Sequence, residues 1–91
     1  MRICILDGET ILDKDMLHDT LAAALDFPDW YGRNLDALYD CLTDLAEETE
    51  IRFRNEQALA EHLGNYAGAI KKVICTAVEE NQNIQCILNY A

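Results

Sequence analysis

Three short strand-like segments, separated by long stretches of helical periodicity, constrain the fold of this 91-residue chain most strongly. Residues 2–7 form an apolar run, typical of a strand buried on both faces, and apolar and polar side chains alternate at residues 50–54 and 84–90. Parallel strands need a crossover of about a dozen residues or more, usually helical. The spacing therefore predicts an α/β fold with a three-stranded parallel sheet and right-handed connections.

The stretches between these strands predict two helices each. Three residues are suited to cap a helix N-terminus: Asp13, Asn34 and Asn55. The second helix carries an apolar stripe of Leu35, Leu38, Leu42 and Leu45. The third helix should end at Gly64, and the fourth should cover about residues 66–80. So few helices can cover only one face of the sheet well.

The acidic composition excludes several classes of function. Seventeen acidic side chains against seven basic ones give a net charge of −10, which repels nucleic acids and anionic membranes. The sequence contains no apolar run near the roughly 18 residues of a membrane span, and its first residues lack a cleavable signal pattern. We therefore expect one domain over residues 1–91, located in the cytoplasm, with neither a nucleic-acid nor a membrane partner.

The residue types that carry catalysis or bind metals are sparse. The chain has no serine, which excludes a Ser-His-Asp triad, and its four cysteines match no zinc spacing. We expect all four cysteines to be reduced and buried. Two aspartates one helical turn apart can act as acid and base or bind Ca²⁺ or Mg²⁺, but an open helix face offers no pocket. The sequence thus predicts no catalytic residue, no cofactor and no metal.

The strongest functional signal is a concentration of acidic side chains. Residues 26–50 hold eight acidic residues and one basic residue, a net charge of −7. Asp36, Asp40 and Asp44 lie at i, i+4 and i+8 of the second helix, where like charges cost about 0.2–0.5 kcal/mol per pair. Beside this row stand three aromatic residues: Trp30, Tyr31 and Tyr39. A solvated helix face, with the aromatics folded onto the core, is one interpretation, and a contact surface for a basic protein is the other.

The segment from Trp30 to Leu42, WYGRNLDALYDCL, resembles the barstar family, the intracellular inhibitors of barnase-type ribonucleases. The resemblance extends more weakly over the whole chain. It implies a three-stranded parallel sheet flanked by about four helices. It also implies that the second helix and the loop before it plug the active site of a basic ribonuclease.

The resemblance implies a role for individual residues in that contact. Asp40 is the main anchor, its carboxylate standing in for a substrate phosphate, and Asp36 is a second acidic contact. Trp30 takes the place of a tyrosine that packs on the nuclease's catalytic histidine. The predicted partner-binding residues are Trp30, Tyr31, Gly32, Asn34, Asp36, Tyr39, Asp40 and Asp44.

Three positions depart from the best-known member of that family. Arg33 replaces an acidic residue, Leu45 replaces a tryptophan, and Thr76 replaces a glutamate. These departures favour a ribonuclease other than barnase as the target. They leave open an acidic interaction or regulatory module whose basic partner is not a nuclease, and an enzyme that uses Asp36 and Asp40.

Overall fold

The computed structural model describes residues 1–88, in which three strands and four helices alternate as the sequence predicts. The elements are β1 (Arg2–Asp7), α1 (Lys14–Leu25), α2 (Leu35–Thr43), β2 (Thr49–Arg54), α3 (Glu56–Leu63), α4 (Asn65–Glu80) and β3 (Ile84–Ile87). Both strand pairs are parallel, in the order β1-β2-β3, with Cys4 opposite Ile51 and Ile51 opposite Cys86. The predicted α/β fold is confirmed. Asn89 and Tyr90, part of the predicted third strand, lie outside the described residues.

Two of the three predicted helix caps are present. The Asp13 carboxylate accepts a hydrogen bond from the backbone N–H of Met16, and the Asn34 side chain accepts one from Ala37, each at 2.8 Å. The Asn55 side chain instead donates to the Asp7 carboxylate at 2.8 Å and makes no cap bond. The side-chain cap predicted at Asn55 is wrong: the backbone of Asn55 is left-handed, with φ of 53°, instead of the extended conformation typical of a capping residue, and its amide is turned to the end of β1.

Only one face of the sheet enters the core. Cys4 and Leu6 of β1 are fully buried, whereas Ile3 and Ile5, which point to the other face, are 45% and 39% exposed. The prediction that β1 is buried on both faces is therefore wrong. The four helices of residues 1–88 supply apolar cover for a single face, and β1 is an edge strand.

A close approach of β1 to α3 depends on glycine. A Cβ atom added at Gly8 would lie 2.1 Å from the Asn55 carbonyl oxygen and 2.4 Å from the Leu59 nitrogen. Both atoms belong to the backbone and cannot move aside as a side chain does. Gly8 therefore lets the turn after β1 pack directly against the start of α3.

The C-terminal end of α2 is held by the end of α4. α2 ends at Thr43, with Asp44 as its C-cap, so it stops short of Leu45, the last residue of the predicted stripe. The buried Asn81 side chain donates to the carbonyl oxygens of Leu42 and Leu45, each at 2.9 Å. This contact fixes the position of α2 against α4.

The four cysteines are free thiols in three environments. Cys4 is buried, Cys41 and Cys86 are half-buried, and Cys75 is exposed on α4, so the prediction of four buried thiols is wrong for Cys75. Burial raises the pKa of Cys4 to about 12 and that of Cys86 to about 11. Within residues 1–88, no helix is long and apolar enough to cross a membrane.

Candidate protein-binding site

The acidic side chains of α2 border a groove between α2 and α4. Asp36 and Asp40 are exposed, while Leu38 and Leu42 on the opposite side of the helix are fully buried. The groove has a volume of about 460 Å³ and is lined by Leu35, Asp36, Tyr39, Asp40, Lys72, Val73 and Thr76. Asp44 lies outside it, at the end of the helix. The open helix face expected from the sequence is therefore one wall of a groove whose other wall is α4.

Trp30 is the most exposed aromatic side chain of the described residues, with 81% of its surface accessible. It lines two depressions of about 210 Å³ each, and Asp44 lines both with it. Asp40 lines one of these depressions and also the α2–α4 groove. The interpretation that Trp30 folds back over the helix start is wrong. Its exposure beside acidic groups is typical of an interface anchor.

Tyr31 has the opposite environment and ties the loop to the core. It is 7% exposed, and its hydroxyl lies 2.6 Å from Nδ1 of the buried His18. Nε2 of His18 lies 2.8 Å from the Tyr66 hydroxyl. A neutral imidazole has one donor and one acceptor nitrogen, so both contacts can be hydrogen bonds. Burial lowers the pKa of His18, and this favours that neutral form.

Arg33 attaches the same loop to α1. Its backbone is left-handed, with φ of 55°, and its guanidinium donates to the Asp19 carboxylate at 2.5 Å and to the Asp15 carbonyl oxygen at 2.9 Å. The Asp15 carboxylate lies 3.6 Å away. The positive charge at this position therefore faces two carboxylates of α1.

The predicted partner-binding residues all lie on α2, its two caps and the loop before it. The exposed ones are Trp30, Gly32, Asn34, Asp36, Asp40 and Asp44, while Tyr39 is half-buried and Tyr31 is buried. A Cβ atom added at Gly32 would lie 3.2 Å from the Ala37 Cβ, so the loop packs tightly on the first turn of α2. The structure brings these residues together, and their part in binding stays a prediction.

Sequence reasoning missed the anchoring residues His18, Arg33 and Asn81. His18 had a usable signal, because it lies three and seven residues before Leu21 and Leu25 and so shares their buried side of α1. For Arg33 and Asn81 the sequence contains no such signal, because the residues to which they bond are 14 or more positions away along the chain.

Neither acidic residue of the groove is engaged within the described part of the chain. The Asp36 and Asp40 carboxylates make no ion pair and accept no side-chain hydrogen bond from residues 1–88. The same residues contain no group of three or more His, Cys, Asp and Glu side chains placed to hold a metal ion. The two carboxylates are thus free to receive cationic groups from another molecule.

Comparison with known proteins identifies the family of the chain. A family model described as "Barstar (barnase inhibitor)" matches residues 1–91. The chain is also 44% identical over 81 residues to the "Putative ribonuclease inhibitor YrdF" of Bacillus subtilis (strain 168). That match covers 88% of this chain and 89% of the relative. The chain therefore belongs to the barstar family.

Proposed function

We propose that this protein inhibits a basic, barnase-type ribonuclease by covering its active site with α2 and the loop before it. The observation that carries the proposal is the position of Asp40. Its free carboxylate lies where the α2–α4 groove meets the depression beside Trp30. The family match and the inhibitor name of the relative support a ribonuclease as the partner.

The acidic groove of this protein and the active site of a ribonuclease carry complementary charges. A ribonuclease active site is cationic because it binds the phosphates of RNA. Asp36 and Asp40 lie one helical turn apart in the same groove and can pair with those cations in place of phosphates. Charge-assisted hydrogen bonds are strongest where water is excluded, and the Trp30 and Tyr39 rings can exclude it.

The loop is held in place before any partner arrives. Tyr31 is bonded to His18 and Arg33 to Asp19, while Asn34 caps the helix that carries the acids. Ordering a flexible segment at binding costs free energy, and a loop already fixed avoids that cost. In this proposal the nuclease contacts Trp30, Gly32, Tyr39 and the acidic residues of the groove. Tyr31 and Asn34 border this contact and hold its shape. The protein itself performs no catalysis.

The test is inhibition of purified ribonucleases, measured with a fluorogenic RNA substrate. The panel contains barnase and any ribonuclease encoded beside this gene. We expect stoichiometric inhibition of at least one. Asp40→Ala should weaken binding by at least about 2 kcal/mol, roughly thirtyfold, with the circular dichroism spectrum unchanged. Asp44→Ala is the matched control and should cost less, because Asp44 lies outside the groove.

Two results would contradict the proposal. The first is that no ribonuclease in the panel is inhibited. The second is that Asp40→Ala binds as tightly as the parent protein. Binding of a basic protein that is not a nuclease, through the same residues, would instead support the alternative of an acidic interaction module.

A further inference from the structure

The groove contains one cationic side chain among its lining residues, and it belongs to the wall opposite the acidic residues. Lys72 belongs to α4, while Asp36 and Asp40 belong to α2. Lys72 is exposed and has no carboxylate of the described residues within 4.0 Å of its ammonium group. Its charge is therefore available to a partner that enters the groove.

The neighbouring lysine has a structural role that Lys72 lacks. Lys71 forms an ion pair with Glu56 and lies 5.6 Å from the centre of the Phe53 ring. Lys72 is exposed and lines the groove. Thr76, one turn further along the same wall, is neutral, and its hydroxyl donates to the Lys72 carbonyl oxygen at 2.9 Å. The α4 wall of the groove is thus positive, while the α2 wall is negative.

A groove with walls of opposite sign selects its occupant. Cations of a ribonuclease can pair with Asp36 and Asp40, but a further cation placed against the α4 wall would meet Lys72. Juxtaposed like charges in a desolvated interface are strongly unfavourable, and interfaces use such repulsion to reject wrong partners. A carboxylate at the same place would instead form an ion pair with Lys72.

We propose that Lys72 determines which ribonuclease this protein accepts. It disfavours an active site that meets the groove with cations alone, and it favours a partner that presents a carboxylate side chain to α4. This inference rests on the proposed function, because it assumes that a ribonuclease enters the groove. It adds the chemistry by which the partner is chosen.

Barnase is the probe for this inference, since the matching family is described by its inhibition. Inhibition constants are compared for the parent protein, Lys72→Gln and Lys72→Glu. If Lys72 opposes a cationic active site, Lys72→Glu should inhibit barnase at least about tenfold more strongly than the parent, and Lys72→Gln should lie between them. Arg54→Glu controls for the change in net charge, because Arg54 is exposed and lies outside the groove.

The inference is overturned if Lys72→Glu inhibits barnase no better than the parent, or if Arg54→Glu gives the same gain. Asp40→Ala, measured in the same series, separates this failure from failure of the proposed function. If the parent inhibits barnase through Asp40 but Lys72→Glu gives no gain, only the role of Lys72 falls. If neither the parent nor any variant inhibits a ribonuclease in the panel, both proposals fall.

Discussion

Trp30 and Tyr31 are adjacent in the chain, yet one is 81% exposed and the other 7% exposed. The difference arises from what lies beneath each ring. Tyr31 packs on Phe27, with ring centres 4.8 Å apart, and its hydroxyl reaches His18. No hydrogen bond or ring contact within residues 1–88 holds Trp30, which is left at the surface. Tyr31 thus anchors the loop, while Trp30 stays exposed at the surface that we propose contacts a partner.

The buried His18 makes stability depend on pH. Its pKa is lowered, chiefly by burial and further by the charge of Arg33, while Asp15 and Asp19 act in the opposite direction. A histidine in the unfolded chain has a pKa of about 6.5. The unfolded state therefore takes up the proton first as pH falls. The stabilising contribution is complete above the unfolded pKa and is lost as pH falls toward the folded value.

We therefore expect the free energy of unfolding to decrease from about pH 7 toward pH 5, by at most about 1.4 kcal/mol per pH unit from this group. Urea unfolding at a series of pH values measures it. His18→Asn keeps an amide near the Nδ1 position but cannot titrate. This variant should have a flatter profile over that range, and an unchanged slope would show that another group is responsible.

At the level of the elements, α2 depends on its two ends. The helix has nine residues and carries Asp36 and Asp40 one turn apart, which disfavours it as an isolated helix. The Asn34 side chain accepts a hydrogen bond from a backbone N–H at the start of the helix, and the Asn81 side chain donates one to a backbone carbonyl oxygen at its end. The element that presents the acids is thus held by caps and by α4, and its own propensity contributes little.

Replacing Asn81 tests this dependence. Asn81→Ala leaves the Leu42 carbonyl oxygen without its side-chain donor, and we expect a loss of stability of about 1–3 kcal/mol in urea unfolding. Asn83→Ala is the control. Within residues 1–88, the Asn83 side chain donates only to the Leu45 carbonyl oxygen, at 3.2 Å, and this oxygen also accepts a hydrogen bond from Asn81. A larger loss in Asn83→Ala than in Asn81→Ala would contradict this account of the α2 terminus.

For the molecule as a whole, the distribution of charge bears more on the proposed association than the total charge does. Residues 26–50 carry −7 of the net −10, and the exposed acids of the proposed contact surface belong to that segment. Within residues 1–88, Asp36, Asp40 and Asp44 of that segment form no ion pair, so their charges are available on the side proposed to meet a cationic partner. Opposite fields accelerate encounter, and salt at physiological strength screens them beyond about 8 Å.

Association with the ribonuclease should accordingly be fast at low salt and slow markedly as the salt concentration rises to about 0.5 M. Stopped-flow measurement of the on-rate at several ionic strengths checks this. Glu61→Gln removes one exposed negative charge outside the acidic segment and should leave the salt dependence nearly unchanged. An on-rate that does not vary with salt would mean that the acidic segment is not the docking surface.

Much of the fold was predictable because it depends on local properties of the chain. The parallel sheet follows from the length of the two crossovers, and the caps at Asp13 and Asn34 follow from short polar side chains placed before amphipathic segments. The placement of Asp36 and Asp40 on one side of α2 also follows from helical periodicity, whereas Asp44 is the C-cap and lies outside the groove. Such patterns involve residues that are close together along the chain, so they can be recognised in the sequence.

The features that shape the site depend on contacts between distant segments. The groove forms only because α2 packs on α4, which places Asp36 and Lys72 on opposite walls of one groove although 36 positions separate them in the sequence. Tyr31 is buried and Trp30 exposed because His18 lies beneath one and not the other. The packing that minimises the free energy of the whole chain decides such pairings, and neither residue's immediate neighbours encode them.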